Sequence, residues 1–185
     1  MLPGFSGGSS SYSGNDTHRY IEKLLDSRGD ILIVSPYIDA YYARAMLRRH
    51  RRGRFYVISS SIESRAKSML NSKPSRLFLP AGILAFLFLL ILPLHYGLSG
   101  IYLVPSAIPL GLGIAKGRKR ANVVLKCPSE FIHAKMYISD TMAIVGSVNL
   151  TYKGTHKNVE QISILRSASD IGQLKDQFWA MWDKF

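Results

Sequence analysis

Apolar and polar positions divide this chain into short strands and amphipathic helices on either side of one long apolar run. Near the start, Asp16 or Thr17 can cap a helix that carries Tyr20, Ile21, Leu24 and Leu25 on one face, and Gly29 stops it. Ile31 to Val34 then reads as a buried strand closed by Ser35 and Pro36. Tyr41 to Arg52 predicts a basic helix ended by Gly53, followed by a strand from Phe55 to Ser59 and a helix beginning near Ser61. Past the apolar run, Asn122 to Leu125, Phe131 to Ser139, Met142 to Val145 and Val159 to Leu165 are further strands. A last helix from about Ser169 places Ile171, Leu174, Phe178, Met181 and Trp182 on one stripe. This βα order predicts an α/β fold, a mixed sheet flanked by helices on both faces.

The apolar run changes the picture. Residues 77–115 contain no Asp, Glu, Lys or Arg and include AGILAFLFLLILPL. One membrane helix takes roughly 20 apolar residues, so the run suits a two-helix transmembrane hairpin turning at HYGLSG, His95 to Gly100. Pro105, Pro109, Gly111 and Gly113 make the second arm kinked or re-entrant, because proline removes a backbone donor that lipid cannot replace. Arg65, Lys67, Lys73 and Arg76 precede the run and Lys116, Arg118, Lys119 and Arg120 follow it. Both ends then lie on the cytoplasmic side of a multi-pass protein. The competing reading is a hydrophobic dimerisation hairpin of a soluble chain, against which the size of the exposed patch argues. Residues 1–14, rich in Gly and Ser, read as a flexible tail without the features of a secretory signal. Residues 15–76 and 116–185 read as two parts of one domain interrupted by the 77–115 insert.

The chain has 185 residues, enough for one core, and 24 Lys and Arg against 12 Asp and Glu give a formal charge of +12. That balance favours an anionic partner, either nucleic acid or acidic lipid headgroups. Cys127 is the single cysteine, so a disulfide framework and a cysteine-rich zinc site are both excluded within one chain. A reducing compartment fits.

Candidate chemistry concentrates in FIHAKMYISDTMAIVGSVNLTYKGTHKNVEQ, residues 131–161. In a strand, His133 and Lys135 point to one face, and Gly146 permits a close approach that brings Ser147 and Asn149 alongside. Such a set suits a phosphodiester. Lys135 can neutralise a non-bridging oxygen, while Ser147 and Asn149 hydrogen-bond the charge that spreads in the transition state. His133 can attack phosphorus if a carboxylate holds its other nitrogen, and Glu160 is the candidate. A second imidazole must protonate the leaving oxygen. His18, His50, His95 and His156 have no matching motif, so homodimerisation, which supplies a second His133, is implied.

The spacing His133, Lys135, Asp140 with GSVN at 146–149 resembles the H-x-K-x(4)-D plus G-S-x-N signature of the phospholipase D superfamily. SPYID, the strand ending ISSS and the closing NVEQ segment with its aromatic tail are also similar to small single-motif members, among them bacterial endonucleases and a mitochondrial-surface member. The resemblance implies a phospholipase D-like fold and a two-step reaction through a phosphohistidine, with neither metal nor cofactor. His133 of one subunit would be nucleophile and the partner's His133 the acid and then base. Lys135 and Asn149 would bind phosphate with support from Ser147, and Glu160 would orient His133. Asp140 and Gly146 would be structural.

Other polar features read more plainly. His156 and Lys157 lie in a solvated loop, the RRHRRGR run at 48–54 is the exposed end of a helix, Tyr37 either lines the pocket mouth or packs, and Cys127 is inert. The apolar insert departs from the small family nucleases and leaves two substrates: nucleic acid, for a membrane-anchored nonspecific endonuclease, or anionic phospholipid, for a phospholipase D or phosphatidyltransferase. The charge excess away from the hairpin favours nucleic acid, with few aromatics near the motif to stack bases. A membrane scaffold with a relic site is the non-enzymatic reading, and the intact motif speaks against it.

Overall fold

The computed structural model describes residues 8–49, 53–71 and 122–185. These belong to one unit, residues 1–71 and 122–185, set apart from residues 72–121. The expected hairpin at 77–115 lies outside the described residues. Among the described residues no helix is long and apolar enough to cross a membrane.

The elements run β1 (Ser10–Gly14), α1 (His18–Leu25), β2 (Ile31–Val34), β3 (Tyr37–Ile38), α2 (Ala40–Arg48), β4 (Phe55–Ile58), β5 (Ser61–Ile62) and α3 (Ser64–Asn71). After residue 121 come β6 (Val123–Lys126), β7 (Met136–Ile138), β8 (Ala143–Gly146), α4 (Tyr152–His156), β9 (Glu160–Leu165) and α5 (Ala168–Lys184). Seven strands form one sheet in the order β1-β9-β8-β7-β2-β4-β6. β2, β4 and β6 are parallel, and the pairs from β2 through β7, β8 and β9 to β1 are antiparallel. The sheet is therefore mixed, as the sequence pattern predicts.

Strand alternation sorts the core into two layers. Ile31 and Ile33, Tyr137, Ile144, Ile162 and Ile164 face one side, where Ile21, Leu24 and Leu25 of α1 and Tyr42, Ala45 and Met46 of α2 cover them. Leu32 and Val34, Met136 and Ile138, Ala143 and Leu165 face the other, covered by Ile171, Leu174 and Phe178 of α5. β2 is buried along its whole length, which is why its four residues are all apolar. Met181 and Trp182 of the predicted stripe pack only partly buried against the α5 side.

Several boundaries differ from the sequence reading. The tail expected to be flexible contributes β1, which pairs with β9 in register from Ser10 opposite Ile164 to Gly14 opposite Glu160. Hydrogen bonding along the open edge of β9 asks little of side chains, so a Ser-rich segment suffices, and Tyr12 adds a partly buried contact to the core. Ser61 and Ile62 form a short strand with β3, and the helix starts at Ser64 instead. α2 ends at Arg48, capped at its start by the Asp39 carboxylate, which accepts from the backbone N–H of Tyr42 at 3.1 Å.

The largest difference concerns Phe131 to Ser139, of which only Met136–Ile138 is strand. Met136 pairs with Val34, the last residue of β2. Beyond it Ser35 and Pro36 turn the neighbouring chain away, so the residues before Met136 have no strand on that side to bond. His133 and Lys135 thus lie on the segment leading into β7, not within it.

Candidate active site

One end of the sheet gathers the start of β7, the end of β8, the start of β9 and the carboxyl ends of β2 and β4. In open α/β sheets, the crevice beyond the carboxyl ends of parallel strands is the usual place for a ligand. Here it holds His133 and Lys135. Lys135 Nζ lies 3.3 Å from His133 Nδ1 and 3.2 Å from Nε2, and donates to the His133 carbonyl at 2.8 Å. The two residues lie outside any strand, so they meet by the lysine bending back onto the residue two positions before it and not by strand alternation. His133 is exposed and Lys135 half-buried. Burial lowers the Lys135 pKa below its ordinary value, and the Glu160 carboxylate pulls it back up.

Gly146 ends β8 against β9. A Cβ there would stand 2.2 Å from the Gln161 carbonyl oxygen, so only glycine permits this approach. Directly after it, Ser147 donates its hydroxyl to Glu160 Oε2 and accepts from the Gln161 backbone N–H at 3.0 Å. The other Glu160 oxygen accepts from Asn158 Nδ2 at 3.1 Å. Glu160 is 8% exposed, and its carboxylate raises the Lys135 pKa against the effect of burial. Its bonds within one chain therefore go to Ser147 and Asn158, while His133 bonds to Lys135. Asn149 is two residues beyond Ser147 and does not line the cavity beside His133, and its side-chain oxygen is buried without a hydrogen-bond partner among the described residues.

The GSVN loop is held from below. Tyr137, fully buried in β7, donates to the Val148 carbonyl at 2.8 Å. Ser35 accepts from the Leu150 N–H at 3.0 Å and donates to the Tyr37 carbonyl at 2.9 Å. Asp39 caps α2 with one carboxylate oxygen and accepts from the Tyr152 N–H at 2.5 Å with the other. Ser35 and Asp39, the ends of SPYID, thus tie the first half of the domain to the loop carrying Asn149. The sequence pattern reads Ser35 as closing β2 and gives neither residue a contact with this loop. A small polar residue on each side of Pro36–Ile38, directly after a wholly buried strand, is the signal that could have found them.

Asp140 lies at the opposite end of β7 from His133, in the β7–β8 turn, and pairs with Lys175 of α5 at 2.6 Å. A Cβ on Gly29, whose φ is +87°, would meet the Asp140 carboxylate at 2.4 Å, so the turn also packs on the α1–β2 connection. A cavity of about 560 Å³ runs from His133, Lys135 and Ser147 along a floor of Met136, Val145 and Leu174 to Gln177 of α5.

His156 is not in a solvated loop but in α4. It is stacked 4.2 Å from Tyr152 and 4.3 Å from His18. Burial, then the neighbouring His18, lowers its pKa. Arg49 of the basic run is tied to Asp26 at 2.5 Å. Tyr37 is exposed, 6.0 Å ring to ring from Phe131, which is 6.2 Å from His133. The fold thus brings an aromatic remote in the chain next to one that belongs to the motif segment. Cys127 is exposed. No group of three His, Cys, Asp or Glu side chains that could hold a metal ion converges among the described residues.

Residues 105–182 match the family model described as cardiolipin synthase, PLD-like domain. A search of curated proteins finds no match. Among solved structures, the phospholipase D family member Nuc from Salmonella typhimurium is similar, with a TM-score of 0.53, 13% identity and 95% of each chain covered. NucT from Helicobacter pylori gives 0.52 and 13%, covering 95% of this chain and 96% of its own. Polyphosphate kinase from Porphyromonas gingivalis gives 0.50 and 8%, covering 94% of this chain but 23% of its own. At these identities the likeness is one of fold: a phospholipase D-like mixed sheet flanked by helices.

Proposed function

We propose that the chain is a phosphodiesterase that completes its site in a homodimer and acts on nucleic acid without a metal ion. The observation that carries this reading is the 3.2–3.3 Å meeting of Lys135 Nζ with the His133 imidazole, backed by the Ser147–Glu160 bond. An exposed imidazole beside an ammonium is a phosphate site with a nucleophile in it. Lys135 would hold a non-bridging oxygen while a His133 nitrogen attacks phosphorus and the phosphorus–oxygen ester bond breaks. The partner's His133 would give its proton to the leaving oxygen, then take one from the water that hydrolyses the phosphohistidine. Asn149 and Ser147 would support the transition-state charge. Glu160 would orient His133 once substrate draws Lys135 away from it.

The excess of Lys and Arg that persists away from the hairpin favours a polyanion, and the resemblance to small single-motif endonucleases points the same way. Residues 77–115 would anchor the protein as a two-helix hairpin with the catalytic domain on the cytoplasmic side. A second reading, hydrolysis or transfer on anionic phospholipid, is favoured by the description of the matched family as cardiolipin synthase. Both use the same atoms. The deciding assay offers single-stranded DNA, RNA and labelled phosphatidylglycerol or cardiolipin to the full chain in detergent with EDTA. Cleavage of nucleic acid is expected. Cleavage of lipid alone would overturn the nuclease reading, and loss of all activity in EDTA would overturn the mechanism.

A further inference from the structure

Phe131 is 58% exposed and Tyr37 is 45% exposed, although both are large apolar rings. Their centroids are 6.0 Å apart at an interplanar angle of 55°, and Phe131 lies 6.2 Å from the His133 ring. Together they make an uncovered ledge beginning at the catalytic imidazole. The backbone under each ring is held. The Ile132 N–H donates to Ser60 Oγ at 2.6 Å, fixing the segment that carries Phe131. Tyr37 is paired with Ser61 in the two-stranded sheet, and its carbonyl accepts from Ser35. The chain thus pays to keep two rings in water at one fixed place, beside the group that attacks phosphorus.

The cover is either a second copy meeting this one at His133 or a group of the substrate. A group of the substrate must be joined to the phosphodiester at His133 and present an apolar face within one ring's reach. A nucleobase meets both demands, since it is one sugar away from its phosphate and has two flat faces. An acyl chain is round in section and gains little from tilted rings that form no channel. The formal charge of +12 fits an anionic partner of either kind, so the choice rests on the shape and spacing of the rings. We propose that Phe131 and Tyr37 form a base-stacking subsite for the nucleotide beside the scissile phosphodiester. The proposal rests on the nuclease reading and adds to it where the neighbouring base sits. Stacking on a protein ring tolerates any base, so the subsite would select for unpaired nucleotides without selecting sequence.

The test compares a labelled single-stranded oligodeoxynucleotide with a strand of the same length built of base-free tetrahydrofuran phosphodiesters. Both are offered to the full chain in detergent with EDTA, and the readout is the ratio of the two kcat/KM values. The wild-type ratio is expected to favour the base-bearing strand by roughly tenfold or more. In Phe131→Ala that ratio should collapse toward one. Tyr37→Ala should lower it in part, and Phe131→Trp should keep it. Because the ratio is internal to each variant, partial misfolding changes both rates and leaves it intact. A wild-type ratio near one, or an undiminished ratio in Phe131→Ala, would overturn the subsite while leaving the nuclease reading standing. Failure to cleave either strand, with phosphatidylglycerol vesicles hydrolysed, would instead overturn the nuclease reading and the subsite with it.

Discussion

The buried Tyr137 hydroxyl donates to the Val148 carbonyl at 2.8 Å, so the strand that follows Lys135 also holds the loop that carries Ser147 and Asn149. One side chain sets the spacing between the two halves of the motif. Tyr137→Phe leaves that carbonyl unpaired in the core, at a cost of about 1–2 kcal/mol in denaturant unfolding. It should also lower kcat more than it raises KM, because the loop loses its support without losing its side chains. Unchanged stability would mean the bond contributes nothing.

A two-histidine site needs both subunits. Homodimers of His133→Ala should lose on the order of a thousandfold in activity or more. Mixed dimers of wild type with His133→Ala, purified by two tags, should be nearly as inactive. Full activity per mixed dimer would show that one His133 is enough.

Burial holds the Lys135 pKa below the usual lysine value, and Glu160 opposes that shift. The ammonium exists below its pKa and disappears as pH rises through it, so phosphate binding by Lys135 is lost over that range. Glu160→Gln removes the opposing charge. In a titration of inorganic phosphate binding, the alkaline loss of affinity is then expected at lower pH than in wild type. A loss that stays in place would separate Glu160 from Lys135.

Asp140 faces Lys175 at the far end of β7, in a half-exposed pair of a kind worth about 0–1 kcal/mol. Asp140→Asn should keep turnover within about twofold of wild type, as expected of a surface ion pair remote from the chemistry. A loss comparable to that of His133→Ala would make the residue catalytic.

The fold holds His156 below the ordinary histidine pKa, by burial first and by His18 second. Its neutral form therefore contributes stability that is complete above about pH 6.5, the unfolded value, and is lost as pH falls through the lower folded value. Thermal melts should show Tm dropping on acidification over this window. His156→Gln should flatten that drop, and an identical slope in the variant would rule the residue out.

Much of the site was legible because its residues are close in sequence. His133, Lys135, Ser147, Asn149 and Glu160 fall within one segment whose strand periods and Gly146 bring them to one end of a sheet. Apolar alternation also determined the α/β class, since β2, β7, β8 and β9 each show which face is core. Tertiary structure decided what depends on distant partners. Whether Phe131–Lys135 is strand depends on where β2 stops, and whether residues 10–14 are ordered depends on β9 having a free edge. Local pattern encodes neither, because strand hydrogen bonds are made to another part of the chain. The same holds for Ser35 and Asp39 on the 150–152 loop, and for Tyr37 meeting Phe131. Sequence alone determined which chemistry His133 and Lys135 offer; the fold decided that the two touch outside the sheet, with an aromatic ledge beside them.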